Sequence, residues 1–534
     1  MEVLAYIAAA LVIIALTNAV APKIGVAAPL LLVLIGIGAS FIPALTGFEL
    51  DPEWILAGLL PPLLYAAAVA MPSTDFRREL STISALSIVL VVVSAVVLGF
   101  FFTLVIPGLN LWWGIALGAV VSPTDAAATA IAKKARLSGR LISILEGESL
   151  FNDATALVLL RTAIAAAAIT FSFWETLGQF LFSITAASLI GVVSGWLVLR
   201  LRAKATEAPV STVLSFVTPF LASVPAEHIG ASGLVAAVAA GLVTGHGSIR
   251  WLNAEQRMSD RQTWKPIEIV LEGAIFLLMG LQVTSLVDQV ISDHEGVSIA
   301  FVGAFGALAL TLVIRAGFLA PLLLWLRSRN RRSAHMRDQF TAARDSFRVE
   351  HPDTKLTDLI PDEVRRGRMA KRFHRFFADT NYYLNQPLGK GAGVVLVWAG
   401  MRGAITVAAA QTLPEHTPHR SLLILIAFIT ATASLLVQGL SLRPVISRFA
   451  PVRNQQVLDS QTRALSKRVR KAGDSITEER KAHMSAEELA TERSNLQYRE
   501  LRLARSEGTY DSDVLRQSLA RIDAAQLYRQ VRES

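Results

Sequence analysis

The sequence contains no cysteine and has few charged residues for its length. The chain has 534 residues, of which 17% are charged and 53% are hydrophobic. The missing cysteine excludes a disulfide scaffold, a thiol nucleophile and a cysteine-ligated metal. Soluble domains average about 25% charged residues, so the composition argues against a soluble enzyme. It also argues against a nucleic-acid-binding protein, because the formal net charge of +9 is not spread over a polar surface.

Long apolar runs predict an all-α polytopic membrane protein. About 20 apolar residues cross roughly 30 Å of hydrocarbon, and such segments are helices because lipid offers the backbone no hydrogen-bond partners. Thirteen runs qualify, and we call them spans 1 to 13. They lie near residues 3–20, 28–45, 54–70, 81–104, 112–131, 144–168, 174–199, 209–224, 229–246, 266–287, 297–326, 391–411 and 421–441. Span 8 is the weakest, because it is short and contains Pro219.

The charges of the connecting loops predict an orientation. Basic loops follow the odd-numbered spans from 1 to 11, and acidic or uncharged loops follow the even-numbered spans from 2 to 10. The positive-inside rule therefore places the N-terminus outside and the C-terminus inside. We expect a transmembrane domain at 1–450, an arginine-rich cytoplasmic loop at 327–390 and a polar helical tail at 451–534 with a capping box from Ser485 to Glu488.

Several polar and ionisable residues lie inside the predicted spans. A charge at the bilayer centre costs at least a few kcal/mol, so such residues are functional candidates. On span 6, Glu148, Ser149, Asn152 and Asp153 fall within one sector of the helix at 100° per residue. Asp153 lies near the midplane of the membrane. The candidates on spans 5, 6, 11 and 12 are Thr124, Asp125, Glu148, Ser149, Asn152, Asp153, Arg315 and Arg402.

Spans 5 and 12 contain residues that interrupt helices. Pro123 removes a backbone donor in span 5, and Gly400 and Gly403 flank Arg402 in span 12. The two spans are seven apart and therefore run in opposite directions, as inverted six-span repeats joined by span 7 require. Interrupted helices at matching places in two repeats indicate a transporter's binding site.

Five segments resemble the bacterial branch of the monovalent cation:proton antiporters, the NhaP/NHE-type sodium/hydrogen exchangers. They are SPTDAAATA (122–130), EGESLFNDATALVLL (146–160), AEHIGASGLVAAVAAGLVTG (226–245), GMRGAITVAAA (400–410) and LLVQGLSLRP (435–444). The resemblance implies thirteen transmembrane helices, with spans 5 and 12 crossing, and a homodimer in the cell membrane.

The same resemblance implies roles for individual residues. Asp153 binds the cation and the proton in turn, and Ser149 and Thr124 supply further oxygen ligands. Asn152 stands where electrogenic relatives have an aspartate, which implies electroneutral exchange. The resemblance also implies a charge pair between Glu148 and Arg315. From the helix dipoles we expect Arg402 to balance charge at the crossed helices, and Asp125, a further candidate for the cation/proton-binding group, to compensate a helix N-terminus.

The expected function is secondary active exchange of Na⁺ or Li⁺ for H⁺ by alternating access, serving pH homeostasis. The expected partners are the monovalent cation, the proton and the lipid bilayer, with no cofactor and no nucleic acid. A K⁺/H⁺ antiporter is the main alternative, and a cation channel is a weaker one. The sequence has no HExxH, GxSxG or P-loop motif, which argues against a membrane-embedded enzyme.

Overall fold

A computed structural model describes most of the chain as helix. The described residues are 2–43, 45, 52–135, 137–168, 173–350, 376–384, 386–450, 455–478, 480 and 483–533. The helices are α1 (Glu2–Ile24), α2 (Ala28–Ser40), α3 (Leu60–Ala70), α4 (Ser73–Ser84), α5 (Leu90–Val105), α6 (Leu111–Val121), α7 (Ala127–Lys134), α8 (Gly139–Ala168), α9 (Phe173–Arg202), α10 (Ala208–His228), α11 (Gly233–Trp251), α12 (Ala254–Leu281), α13 (Val283–Ser292), α14 (Val297–Glu350), α15 (Lys390–Trp398), α16 (Ala404–Gln411), α17 (Arg420–Phe449), α18 (Gln455–Gly473), α19 (Ala486–Glu507) and α20 (Ser512–Glu533). Two π-helical segments, Trp54–Leu59 and Ala85–Val89, lead directly into α3 and α5.

The predicted all-helical membrane architecture is confirmed. Helix lies at each of the thirteen predicted spans, and eight helices in the described residues are long and apolar enough to cross a membrane. The region of span 8, predicted as the weakest, forms the unbroken helix α10 although Pro219 and Pro225 lie inside it. Proline is tolerated in membrane helices because neighbouring groups satisfy the freed carbonyl oxygens.

The predicted loop after span 11 is partly helix. Helix α14 continues through residues 327–350, which contain neither proline nor glycine and are rich in arginine and alanine, both strong helix formers. The connecting segment predicted at 327–390 therefore begins as a continuation of the helix of span 11. Residues 351–375, with Arg365, Arg366 and Arg368, lie outside the described residues.

The chain divides into two compact units. The first comprises residues 1–137, 141–318 and 394–450, and it contains most of the apolar helix. The second comprises residues 138–140, 319–393 and 451–534. Its tail is helical as predicted, and the capping box between Ser485 and Glu488 is confirmed. The backbone N–H of Ser485 donates to the Glu488 carboxylate at 2.8 Å, which lowers the pKa of Glu488 from its ordinary value.

Candidate functional site

Spans 5 and 12 are interrupted at the predicted places. Helix α6 ends at Val121 and α7 begins at Ala127, so the chain around Pro123 is not helical. Helix α15 ends at Trp398 and α16 begins at Ala404. Each interruption frees backbone groups that a continuous helix would bond internally, and these groups are available to a neighbour or an ion.

The two interruptions are hydrogen-bonded to each other. The backbone N–H of Asp125 donates to the carbonyl oxygen of Met401 at 2.7 Å. In the reverse direction, Nε of Arg402 donates to the carbonyl oxygen of Val121 at 3.0 Å. Gly403 lies so close that an added Cβ would be 2.4 Å from Cγ of Asp125. The two broken helices therefore cross in direct contact.

Charged side chains compensate the four helix ends at this crossing. The C-terminal ends of helices carry partial negative charge and the N-terminal ends partial positive charge. Arg402 bonds the last residue of α6, and Nε of Arg315 donates to the carbonyl oxygen of Leu396 in α15 at 2.8 Å. Asp125 directly precedes Ala126, the N-cap of α7, and its carboxylate lies against Gly403, the N-cap of α16. Two arginines thus face the negative ends, and one carboxylate faces both positive ends.

Glu148 and Arg315 form a bidentate ion pair in the interior. Nη2 of Arg315 donates to Oε2 of Glu148 at 2.8 Å, and Nη1 donates to Oε1. Glu148 is 1% exposed and Arg315 is 3% exposed. A hydroxyl that sequence reasoning missed supports this turn of α8, because Ser87 donates to the carbonyl oxygen of Glu148 at 3.2 Å. The pair leaves no net charge at this point.

Thr124 connects the ion pair to Asn152. Its hydroxyl donates to Oε1 of Glu148 at 3.1 Å and accepts from Nδ2 of Asn152 at 2.6 Å. The same amide nitrogen donates to the carbonyl oxygen of Thr124 at 3.1 Å. Within the part of the chain that the structure describes, Oδ1 of Asn152 is buried without a hydrogen-bond partner. The arrangement therefore orients an oxygen atom that is free to accept a ligand.

Asp153 is buried next to this network and has no compensating charge. It is 4% exposed, and among the described residues its carboxylate has no hydrogen bond or ion pair. Asp125 lies close enough for the two negative charges to repel each other. Ser149, also buried, lies four residues earlier on the same helix, α8. A lone buried carboxylate must take up a proton or a cation, because its bare charge is costly in a dry interior.

Sequence reasoning missed a second pair of polar side chains behind the crossing. The Ser434 hydroxyl accepts from the backbone N–H of Arg402 at 2.9 Å and donates to Oε1 of Gln438 at 2.5 Å. Both side chains are fully buried in α17. Gln438 lies within the segment LLVQGLSLRP. Only the structure shows that Ser434, supported by Gln438, binds the backbone N–H of Arg402.

We expect Gly403→Ala to destabilise the crossing. The added methyl group would overlap the Asp125 side chain at 2.4 Å, and overpacking of this kind costs about 1–3 kcal/mol. The measurement is the unfolding midpoint of the purified protein in detergent. Gly317→Ala is the matched control, because a Cβ there meets nothing within 4 Å. Equal midpoints for the two variants would contradict the close crossing.

Comparisons with known proteins identify the family of this chain. The family model described as "Sodium/hydrogen exchanger, transmembrane" matches residues 7–347. The chain belongs to the sodium/hydrogen exchanger family. It is therefore a multi-pass membrane protein of a cation/proton transport family, and this family is not one of enzymes. The sodium proton antiporter MjNhaP1 of Methanocaldococcus jannaschii has a similar fold, with a TM-score of 0.58, 16% identity, and coverage of 84% of this chain and 99% of that one.

Three curated relatives show how similar this chain is to named exchangers and antiporters. An uncharacterized Na⁺/H⁺ exchanger, YjcE of Escherichia coli, is 36% identical over 54% of this chain and 56% of its own length. A sodium, potassium, lithium and rubidium/H⁺ antiporter of Bacillus subtilis is 29% identical over 61% of this chain and 50% of its own. The Na⁺/H⁺ antiporter ApNhaP of Aphanothece halophytica is 26% identical over 79% and 69%. The chain thus spans about half the length of the first two of these relatives.

Proposed function

We propose that this exchanger moves Na⁺ or Li⁺ in one direction and H⁺ in the other by alternating access, with both ions competing for Asp153. The observation that carries the proposal is the uncompensated, buried carboxylate of Asp153 beside the crossing of two broken helices. One carboxylate holds either ion but not both, so competition couples the two fluxes.

The surrounding charges support this role for Asp153. Glu148 neutralises Arg315, and the helix ends offset the charges of Arg402 and Asp125. Of the charges on Arg315, Glu148, Arg402, Asp125 and Asp153, that of Asp153 is then the one left without a compensating group. Binding a proton or a monovalent cation restores neutrality, and we propose that the neutral, loaded site is the state that changes its exposure.

The free oxygen atoms around Asp153 suit a hard monovalent cation. Carboxylate, amide and hydroxyl oxygens are the ligands such cations prefer. We propose that the Asp153 carboxylate, Oδ1 of Asn152 and the Ser149 hydroxyl bind the ion. The Thr124 hydroxyl already bonds both Glu148 and Asn152, so in this proposal Thr124 orients Asn152 and contributes to the ion only through that contact.

From the same charges we propose a stoichiometry of one cation for one proton. Asn152 is neutral and Asp125 faces the helix ends, so Asp153 alone changes its ligand, and one cation replaces one proton. K⁺/H⁺ exchange is the second candidate, because the Bacillus subtilis relative is named for potassium as well as sodium. The orientation with the N-terminus outside, the plasma membrane location, the homodimer and a role in pH homeostasis belong to the same proposal, supported by the basic odd-numbered loops and the family.

Proton movement in reconstituted vesicles tests the proposal. We expect an inward Na⁺ or Li⁺ gradient to drive proton efflux, reported by an internal pH dye, and K⁺ to drive less. Because exchange is one for one, an imposed membrane potential of either sign leaves the initial Na⁺-driven rate unchanged. Absence of Na⁺-driven proton movement would refute the exchange, and a rate that follows the potential would refute its electroneutrality.

A further inference from the structure

A basic groove lies in the tail of the second unit, and none of the residues that line it belongs to the proposed ion site. Helices α18, α19 and α20 pack on one another around apolar side chains that include Leu465, Leu501 and Leu519. Between α18 and α20 is a cavity of about 700 Å³. The cationic side chains that line it are Arg463, Lys467, Arg470 and Arg521.

The four cations of this groove lack carboxylate partners in the described part of the tail. Arg463 donates only to the backbone oxygen of Asp459, at 3.4 Å, and Asp459 is the one acidic residue lining the groove. Arg463 and Lys467 are four residues apart on one helix face, a spacing at which like charges repel each other. The groove therefore concentrates four positive charges around one acidic residue, Asp459.

Arg468 on the same helix differs from the four groove cations because its guanidinium is paired with carboxylates. Its guanidinium donates to Glu507 at 2.6 and 2.9 Å and to Glu500 at 2.5 Å. These hydrogen bonds, those of Glu507 first, raise the pKa of Arg468 above its ordinary value. The charge of Arg468 is neutralised by Glu500 and Glu507, whereas the four cations of the groove have no carboxylate partner in the described part of the tail.

We propose that the groove binds a soluble small molecule that carries two or more linked phosphate groups. Guanidinium groups match phosphate oxygens in geometry, and the hydroxyls of Thr462 and Ser466 line the same cavity as neutral donors. Arg463 and Arg470 are seven residues apart, which is about 10 Å along a helix. A single phosphate is too short to reach both ends, but a chain of linked phosphates spans them.

Binding of inorganic tripolyphosphate to the full-length protein tests this proposal. The protein is placed in nanodiscs of zwitterionic lipid at low salt, and binding is followed by titration calorimetry. We expect one tripolyphosphate per chain, with an affinity that falls as salt is added, and much weaker binding of orthophosphate. The double variant Arg463→Gln/Arg470→Gln should raise the Kd by about tenfold or more, because it removes two charge-assisted contacts.

The control removes the same net charge elsewhere in the tail. Arg499→Gln/Arg502→Gln changes two exposed arginines of α19 that do not line the groove, and it should leave the Kd unchanged. Circular dichroism verifies that both variants stay folded. Absence of tripolyphosphate binding by the unchanged protein would overturn the proposal. Equal losses in both variants, or equal affinity for orthophosphate, would also overturn it. The readout is binding, so it is independent of the proposed transport.

Discussion

Asp153→Asn is expected to abolish Na⁺-driven proton movement, leaving the rate of protein-free vesicles. The change keeps the size of the side chain and removes the carboxylate that, in the proposed mechanism, binds a proton and a cation alternately. Asp153 has no hydrogen bond or ion pair among the described residues, so its replacement leaves no partner unsatisfied. We therefore expect the variant to fold and to keep an unfolding midpoint at least as high as that of the unchanged protein.

Asp288→Asn is the matched control for this experiment. Asp288 is an exposed carboxylate in α13, and its neutralisation should leave the transport rate unchanged. Proton efflux is measured with both variants reconstituted at equal density. Proton movement by the Asp153→Asn protein in response to a Na⁺ gradient would remove Asp153 from the mechanism.

The second large effect is expected at the Glu148–Arg315 pair. Removing one partner leaves the other charge buried and unpaired, which costs about 3–5 kcal/mol of stability. We expect Glu148→Gln and Arg315→Gln each to lower the unfolding free energy by about this amount. The double variant should lose less than the sum of the two, because no lone charge remains. The measurement is denaturant unfolding of the purified protein in detergent.

A second ion pair of the same chain provides the control for this cycle. Arg161 and Glu227 lie 3.4 Å apart at a solvent-exposed site, where a pair contributes about 0–1 kcal/mol. Neutralising either residue should therefore have little effect. Strictly additive losses at Glu148 and Arg315 would show that the two side chains do not stabilise each other.

Local sequence signals predicted much of the fold and part of the site. Apolar run length located the thirteen helical regions, because lipid forces such segments to be helical. Pro123, Gly400 and Gly403 predicted both interruptions. Proline removes a backbone hydrogen-bond donor and glycine permits a broken helix, and both effects are local. Charge sign and family resemblance suggested that Arg315 is the partner of Glu148, and the structure brings these two side chains together.

Contacts between distant segments were not predictable in the same way. Asn152 has the same local sequence whether it bonds Thr124 or faces lipid, and only the folded chain shows that its Nδ2 bonds Thr124 while its Oδ1 is free. Arg202 follows span 7, in one of the basic loops from which the orientation was predicted, yet it is 1% exposed and pairs with Asp260 at 2.5 Å. These partners are 58 residues apart, so no short-range pattern relates them.

The apparent KM for Na⁺ as a function of pH tests the central claim most directly. If one Na⁺ and one H⁺ compete for Asp153, the KM rises by about tenfold for each unit of pH below the pKa of the site, because each proton bound must be displaced. The maximal rate stays constant over the same range. A KM that does not change with pH, together with a maximal rate that falls, would contradict competition at a single carboxylate.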